Sequence, residues 1–133
     1  MVSDYIPEQG DIVIIEFDPQ AGHEQKGRRP ALVISNGTFN SRTKLAWFCP
    51  ITNTVRGFPL HVVLDERTNT TGVIMCEQSK SLDFSARNVQ FKEKIPLDIL
   101  ENVLNKTYSI IERENLLLHR QLLPLWMPVV FRQ

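Results

Sequence analysis

The chain has little of what marks several protein classes. Its 133 residues carry two cysteines, Cys49 and Cys76, each inside an apolar run (WFCPI and VIMCE). That excludes a disulfide framework, and the pair lacks metal-ligand spacing; both are expected to behave as small buried hydrophobes. Neither sign of charge is in surplus, since Lys plus Arg and Asp plus Glu are 15 each. Composition alone therefore gives no mark of a nucleic-acid binder. The opening MVSDYIPEQGD has no basic region leading into an apolar core, so no secretory leader is expected and the expected setting is cytoplasmic. The one long apolar stretch, LLLHRQLLPLWMPVVF, is interrupted by Arg120, Pro124 and Pro128. It is too short and too broken for a bilayer span, and no membrane association is expected. Repeats and low-complexity tracts are absent.

What is present is enough chain to bury one real core, and an uneven distribution of charge. Between Gln20 and Leu60 stand Lys26, Arg28, Arg29, Arg42, Lys44 and Arg56, against a single acid, Glu24. A neutral protein can still present one basic face, and a polyanion responds to the face rather than to the sum. Much of that charge sits in GHEQKGRRP, residues 22–30, between the apolar runs DIVIIEF and ALVIS.

The β-branched and aromatic runs predict strands over residues 11–17, 31–35 (with Pro30 at the strand's first position), 45–51, 61–64 and 73–77, with VQF (89–91) as a short last one. Residues 38–44 can hold a turn or a short helix, and SKSLDFSARN reads as mixed and polar. The period then changes. Leu97, Leu100, Val103, Leu104, Tyr108 and Ile111 recur at three- and four-residue steps behind Pro96, which predicts an amphipathic helix over about residues 96–112. Short strands closed by one helix imply a mostly β fold, a small antiparallel barrel with a C-terminal helix packed on it. The expected division is a domain over residues 1–112 and an apolar extension over 113–133. For that extension, docking on the domain, association with another chain and a departure from the native reading frame all stay open.

Three ordered motifs carry a resemblance. GDIVIIEFDPQAGHEQKGRRPALVIS, then PITNT followed by GFP, then TGVIMCEQSKSLDFSARN resemble the MazF/PemK (Kid) family of toxin endoribonucleases over roughly residues 4–112. The resemblance implies an SH3-like small barrel of the plasmid-maintenance-toxin type. It also implies a type II toxin that cleaves single-stranded mRNA at selected sequences with no metal or other cofactor. Expected partners are RNA, a second copy of the chain, and a cognate antitoxin whose disordered acidic tail competes with RNA; operator DNA would be met only through the antitoxin. The competing implication is a protein-binding toxin like the gyrase poison CcdB, which resembles this fold without a ribonuclease site.

Metal-independent RNA cleavage uses the substrate's own 2′-hydroxyl as nucleophile. A base takes its proton, an acid protonates the departing 5′-oxygen, and cations stabilise charge on the phosphorane. The products are a 2′,3′-cyclic phosphate and a 5′-hydroxyl. By resemblance the catalytic arginine is Arg29, directly before Pro30; a guanidinium holds two phosphate oxygens in a planar fork at any working pH. Thr52, after Pro50, is its expected partner through a hydroxyl bond to phosphate. His23 and Glu24 are the candidates for proton transfer, with ordering of the loop as the alternative task of Glu24. Glu77 stands where the family often has Asp, and Met75 where PemK-like members have an arginine. That departure favours the MazF-like pairing of Arg29 with Thr52. Lys26, Arg28, Arg56 and Arg87 are expected on the RNA path as phosphate contacts. Phe58 is expected there as a stacking ring, and Glu77, Gln78, Lys80 and Ser81 as lining. Trp47, on an apolar strand, is expected in the core or an interface, and Asp83 in a solvated turn.

Overall fold

The computed structural model describes residues 4–18, 22–23 and 27–114. Glu24, Lys26 and all but the first two residues of the apolar extension lie outside them. The apolar runs become strands with both faces buried. β1 (Asp11–Glu16) turns Ile12 toward one cluster and Val13 and Ile15 toward another. β2 (Arg28–Val33) divides Leu32 from Ala31 and Val33 in the same way, and β3 (Leu45–Thr52) divides Cys49 and Ile51 from Ala46 and Phe48. Successive side chains of a strand point to opposite faces. A strand covered on both sides therefore reads as a continuous apolar run rather than an alternation.

The remaining strands are β4 (His61–Val63), β5 (Val73–Met75), β6 (Lys80–Asp83) and β7 (Gln90–Lys94). All pairings are antiparallel, in the order β4-β5-β3-β2-β1-β7, with β6 added to β3. β3 organises the sheet: one edge meets β2, while the other meets β6 through Leu45–Phe48 and β5 through Ile51–Thr52. A register shift between Ile12 and Val13 against β7 is a bulge, which bends the pair and strengthens its twist. The mostly β expectation with a C-terminal helix holds.

Two helices complete the fold. α1 (Gly37–Thr43) is capped by Asn36, whose side chain accepts from the Phe39 amide at 2.8 Å; such a cap contributes about 1 kcal/mol. α2 (Leu97–Ile111) starts after Pro96, whose carbonyl accepts from the amides of Ile99 and Leu100. It buries Ile99, Leu100 and Val103 in the cluster that also holds Leu60, Val62, Leu64 and both cysteines. The Cys49 thiol is pushed up, first by its hydrogen bond with Cys76 and then by burial. On the other side of the sheet Phe17 and Phe48 are fully buried; truncating such a ring to Ala costs about 3–5 kcal/mol.

Several boundaries differ from expectation. β2 begins at Arg28, so Pro30 is its third residue, at a point where the strand is laddered only to β1 and a missing N–H is tolerated. Residues 76 and 77 leave the predicted fifth strand for a single 3-10 turn, Cys76–Gln78. Lys80–Asp83, read as polar connector, is a strand because Leu82 packs into the Phe48 cluster opposite Ala46. Trp47 is not core: it is 39% exposed and borders a surface cavity of about 340 Å³ with Gln9, Ile34, Ser35, Asn36 and Phe39. The predicted helix stripe also divides, with Leu100 and Val103 buried but Leu97, Tyr108 and Ile111 exposed. Among the described residues no helix is long and apolar enough to cross a membrane.

Candidate active site

The β2–β3 ladder brings Arg29 and Thr52 together. Ala31 pairs with Pro50; continuing that antiparallel register by one alternation on each strand sets Arg29 across from Thr52, on the same face of the sheet. The Arg29 side chain is half-buried, and its Nη1 reaches the Ile51 carbonyl at 3.5 Å. Thr52 Oγ1 accepts from the Thr54 amide at 3.2 Å, which leaves the hydroxyl proton to be donated elsewhere. Gly72 holds the other side of Thr52. Its φ is +112°, and a Cβ there would lie 2.2 Å from the Thr52 carbonyl oxygen, so only glycine lets β5 approach Thr52 this closely.

Neighbouring loops flank this pair. The Gln78 amide nitrogen donates to the His23 carbonyl at 3.3 Å, tying the 3-10 turn to the loop between β1 and β2. Arg56 and Phe58 are exposed on residues 53–59, which leave β3 directly after Thr52. Lys80 pairs with Phe48 and so shares the face of Arg29 and Thr52; Ser81 pairs with Trp47 and lies on the opposite face. Strand alternation thus separates two neighbours that the sequence motif puts side by side.

Arg28 and Arg87 have other tasks in the structure. Arg28 Nη1 donates to the Asn88 carbonyl at 2.8 Å, and Arg87 Nη1 donates to the carbonyls of Glu16 at 3.2 Å and Asp18 at 2.7 Å. Together they lace the β1–β2 hairpin to the loop before β7. Asp83 is exposed as expected, and it holds that loop: its carboxylate accepts from the amides of Ser85 and Ala86 at 3.1 Å each. The Ala86 backbone bond, with the Ser85 hydroxyl, keeps Asp83 below the usual carboxylate range.

The sequence marks out neither Gly72 nor His61 in this region. His61, the first residue of β4, places its Nε2 3.0 Å from Glu77 Oε2, with only 7% of its side chain exposed. Its Nδ1 is buried with no hydrogen-bond partner among the described residues. The Phe58 ring meets the imidazole edge-on, with centroids 5.4 Å apart. In HVVL the histidine reads only as a polar strand end, and nothing local points to Glu77. Among the described residues no group of three or more His, Cys, Asp or Glu is placed to hold a metal ion.

A curled antiparallel sheet with two helices, carrying Arg29 and Thr52 on one face of neighbouring strands, makes a small single-sheet domain, and the comparisons give it a family. The model described as "PemK-like, MazF-like toxin of type II toxin-antitoxin system" matches residues 8–111. The chain belongs to that family. It is 37% identical over 108 residues to endoribonuclease PemK of Escherichia coli, covering 78% of this chain and 81% of the relative. It is 35% identical over 111 residues to endoribonuclease toxin MazF of Escherichia coli strain K12, covering 84% and 99%. Among solved structures, MazF from Deinococcus radiodurans superposes with a TM-score of 0.78 at 40% identity, covering 81% of this chain and 98% of that one. A MazE–MazF complex from the same organism superposes with a TM-score of 0.73, also at 40% identity, over 81% and 97%.

Proposed function

We propose that this chain is an endoribonuclease toxin that cleaves single-stranded mRNA at selected sequences through attack of the 2′-hydroxyl. One observation supports the reading: the β2–β3 register, continued from Ala31–Pro50, puts Arg29 opposite Thr52 on one face of the sheet, and the Arg29 guanidinium reaches the carbonyl of Ile51, next to Thr52. Arg29 stabilises charge on the phosphorane, and Thr52 donates to a non-bridging oxygen. The two act in the transition state, where charge gathers on the equatorial oxygens. Proton transfer belongs to the β1–β2 loop, with His23 and Glu24 as candidates. Lys80 and Arg56 add phosphate attraction, so cleavage at subsaturating RNA falls as salt rises. The products carry 2′,3′-cyclic phosphate and 5′-hydroxyl ends, and no metal takes part.

The active form is a homodimer in this reading. Leu97, Tyr108 and Ile111 on α2 and Val63 on the edge strand β4 are large and exposed, and a second copy covers them. An antitoxin with an acidic tail competes for the groove. This is supported by the MazE–MazF complexes at 36–40% identity and by the basic residues at its rim. The experiment is incubation of purified protein with a defined RNA in EDTA, with the fragment ends analysed. Cyclic-phosphate ends that vanish in Arg29→Ala support the proposal. An intact RNA together with inhibited gyrase supercoiling would replace it with the protein-binding alternative.

A further inference from the structure

Phe58, His61 and Glu77 form a compact unit beside the groove that phosphate chemistry does not explain. A carboxylate is repelled by the RNA backbone, so the favourable RNA partners of Glu77 are N–H donors on base edges. The imidazole engages Glu77 through Oε2. Glu77 Oε1 makes no hydrogen bond among the described residues, and the side chain keeps 27% of its surface open. Phe58 is 40% exposed although its ring packs edge-on against the same imidazole. An aromatic ring next to a fixed acceptor is what a splayed-out base requires: a surface to stack on and a partner for its edge. His61 joins the two. With its proton on Nε2 it donates to Glu77, and its near-complete burial keeps the ring from turning.

We propose that Phe58 and Glu77 form a nucleobase subsite and that His61 is its positioning residue. The ligand class is a base with an exocyclic amine: adenine, cytosine or guanine. Uracil is disfavoured, because carbonyls flank its single N–H and would face the carboxylate. Carboxylate side chains read the cytosine amine in this way in duplex recognition. Arg29 and Thr52 then act on the phosphate while this unit selects the base, and the inference rests on the ribonuclease reading above.

The test is cleavage of a randomised single-stranded RNA pool in EDTA by the full-length protein, with both fragment ends sequenced. At one position near the cut, the wild type should reject uracil by about tenfold, the worth of one good base-edge contact. His61→Leu should lose that discrimination at that position alone. His61→Gln, which keeps a side-chain N–H, should retain most of it. Glu77→Gln, a change at a partly open side chain that leaves the fold intact, should lose it too, and adding His61→Leu to Glu77→Gln should cost nothing further. An unchanged base profile in Glu77→Gln overturns the proposal, and so does a His61→Leu protein that melts like the wild type and loses activity equally at every sequence. A wild-type protein that leaves the whole pool intact overturns the ribonuclease reading itself.

Discussion

Two regions of this molecule hold carboxylates in opposite ways. At the corner where α2 begins, Arg67 binds Asp65 and Asp98 together: Nη2 lies 2.8 Å from Asp65 Oδ2 and 3.0 Å from Asp98 Oδ2, and Nη1 lies 2.9 Å from Asp98 Oδ1. These groups are exposed, and both carboxylates share the one guanidinium, each held by more than one of its N–H groups. In the groove, Glu77 is answered by one imidazole nitrogen, while the other nitrogen of the same ring is buried without a partner among the described residues. The corner is saturated, and its geometry serves the joint between the residue 65–71 loop and α2. The groove carries an uncompensated polar atom, which a protein tolerates where binding or chemistry returns the cost.

The sharpest way to test that contrast is Arg29→Ala. Single-turnover cleavage should fall by about 10²–10³-fold or more, the scale for removing one group that stabilises developing charge, with the melting temperature close to wild type. A variant that cleaves normally would place the chemistry elsewhere. Thr52→Val should lower kcat by about 10- to 100-fold, the value of a hydrogen bond to a charged oxygen, while KM changes little. Gly72→Ala should lose stability and activity together. Its Cβ would meet the Thr52 carbonyl oxygen at 2.2 Å in a left-handed backbone, so urea unfolding should report a loss of about 3 kcal/mol, and cleavage should drop about tenfold as Thr52 is displaced.

The smallest effect is expected at the saturated corner. Arg67→Ala should leave cleavage unchanged and lower thermal stability slightly, since exposed ion pairs contribute little. Its signature is a pH dependence. The hydrogen bonds of Arg67 hold Asp65 and Asp98 below the usual carboxylate range. Glu93 is also lowered: burial opposes its ionisation, but bonds from the Thr70 hydroxyl and the amides of Asn69 and Thr70 outweigh it. Groups whose folded values are depressed stabilise the protein above their unfolded values, near 4, and lose that contribution as pH falls through the folded ones. The urea midpoint should therefore be level above about pH 5 and decline below about pH 4. Arg67→Ala should make the decline shallower.

How much of this was legible in the sequence follows from what each segment depends on. DIVIIEF, ALVIS and VIMCE announce strands because both of their faces are buried, which local composition records. KSLD does not: only Leu82 faces the core, and the strand exists because β3 offers an edge to pair with. The α2 pattern predicts the helix but not which part of the stripe is covered: Ile99, Leu100 and Val103 are buried while Leu97 at one end and Tyr108 and Ile111 at the other are exposed, because the cover comes from β4 and the 3-10 turn. Arg29 and Thr52 are proposed through the family motif; their facing positions follow from a ladder register that no single segment encodes. His61 and Gly72 were missed for the same reason, because each acquires its meaning from a residue at least sixteen positions away.

The burial of both thiols has a practical side. Cys49 and Cys76 are the chain's two cysteines, and both lie in the core beneath α2. A cysteine introduced at Val55, 65% exposed in the segment that leaves Thr52, would therefore be the one thiol that a maleimide dye reaches in the folded protein. Fluorescence from that single label would report in real time whether RNA or a candidate antitoxin binds beside Thr52, with the native cysteines left in place.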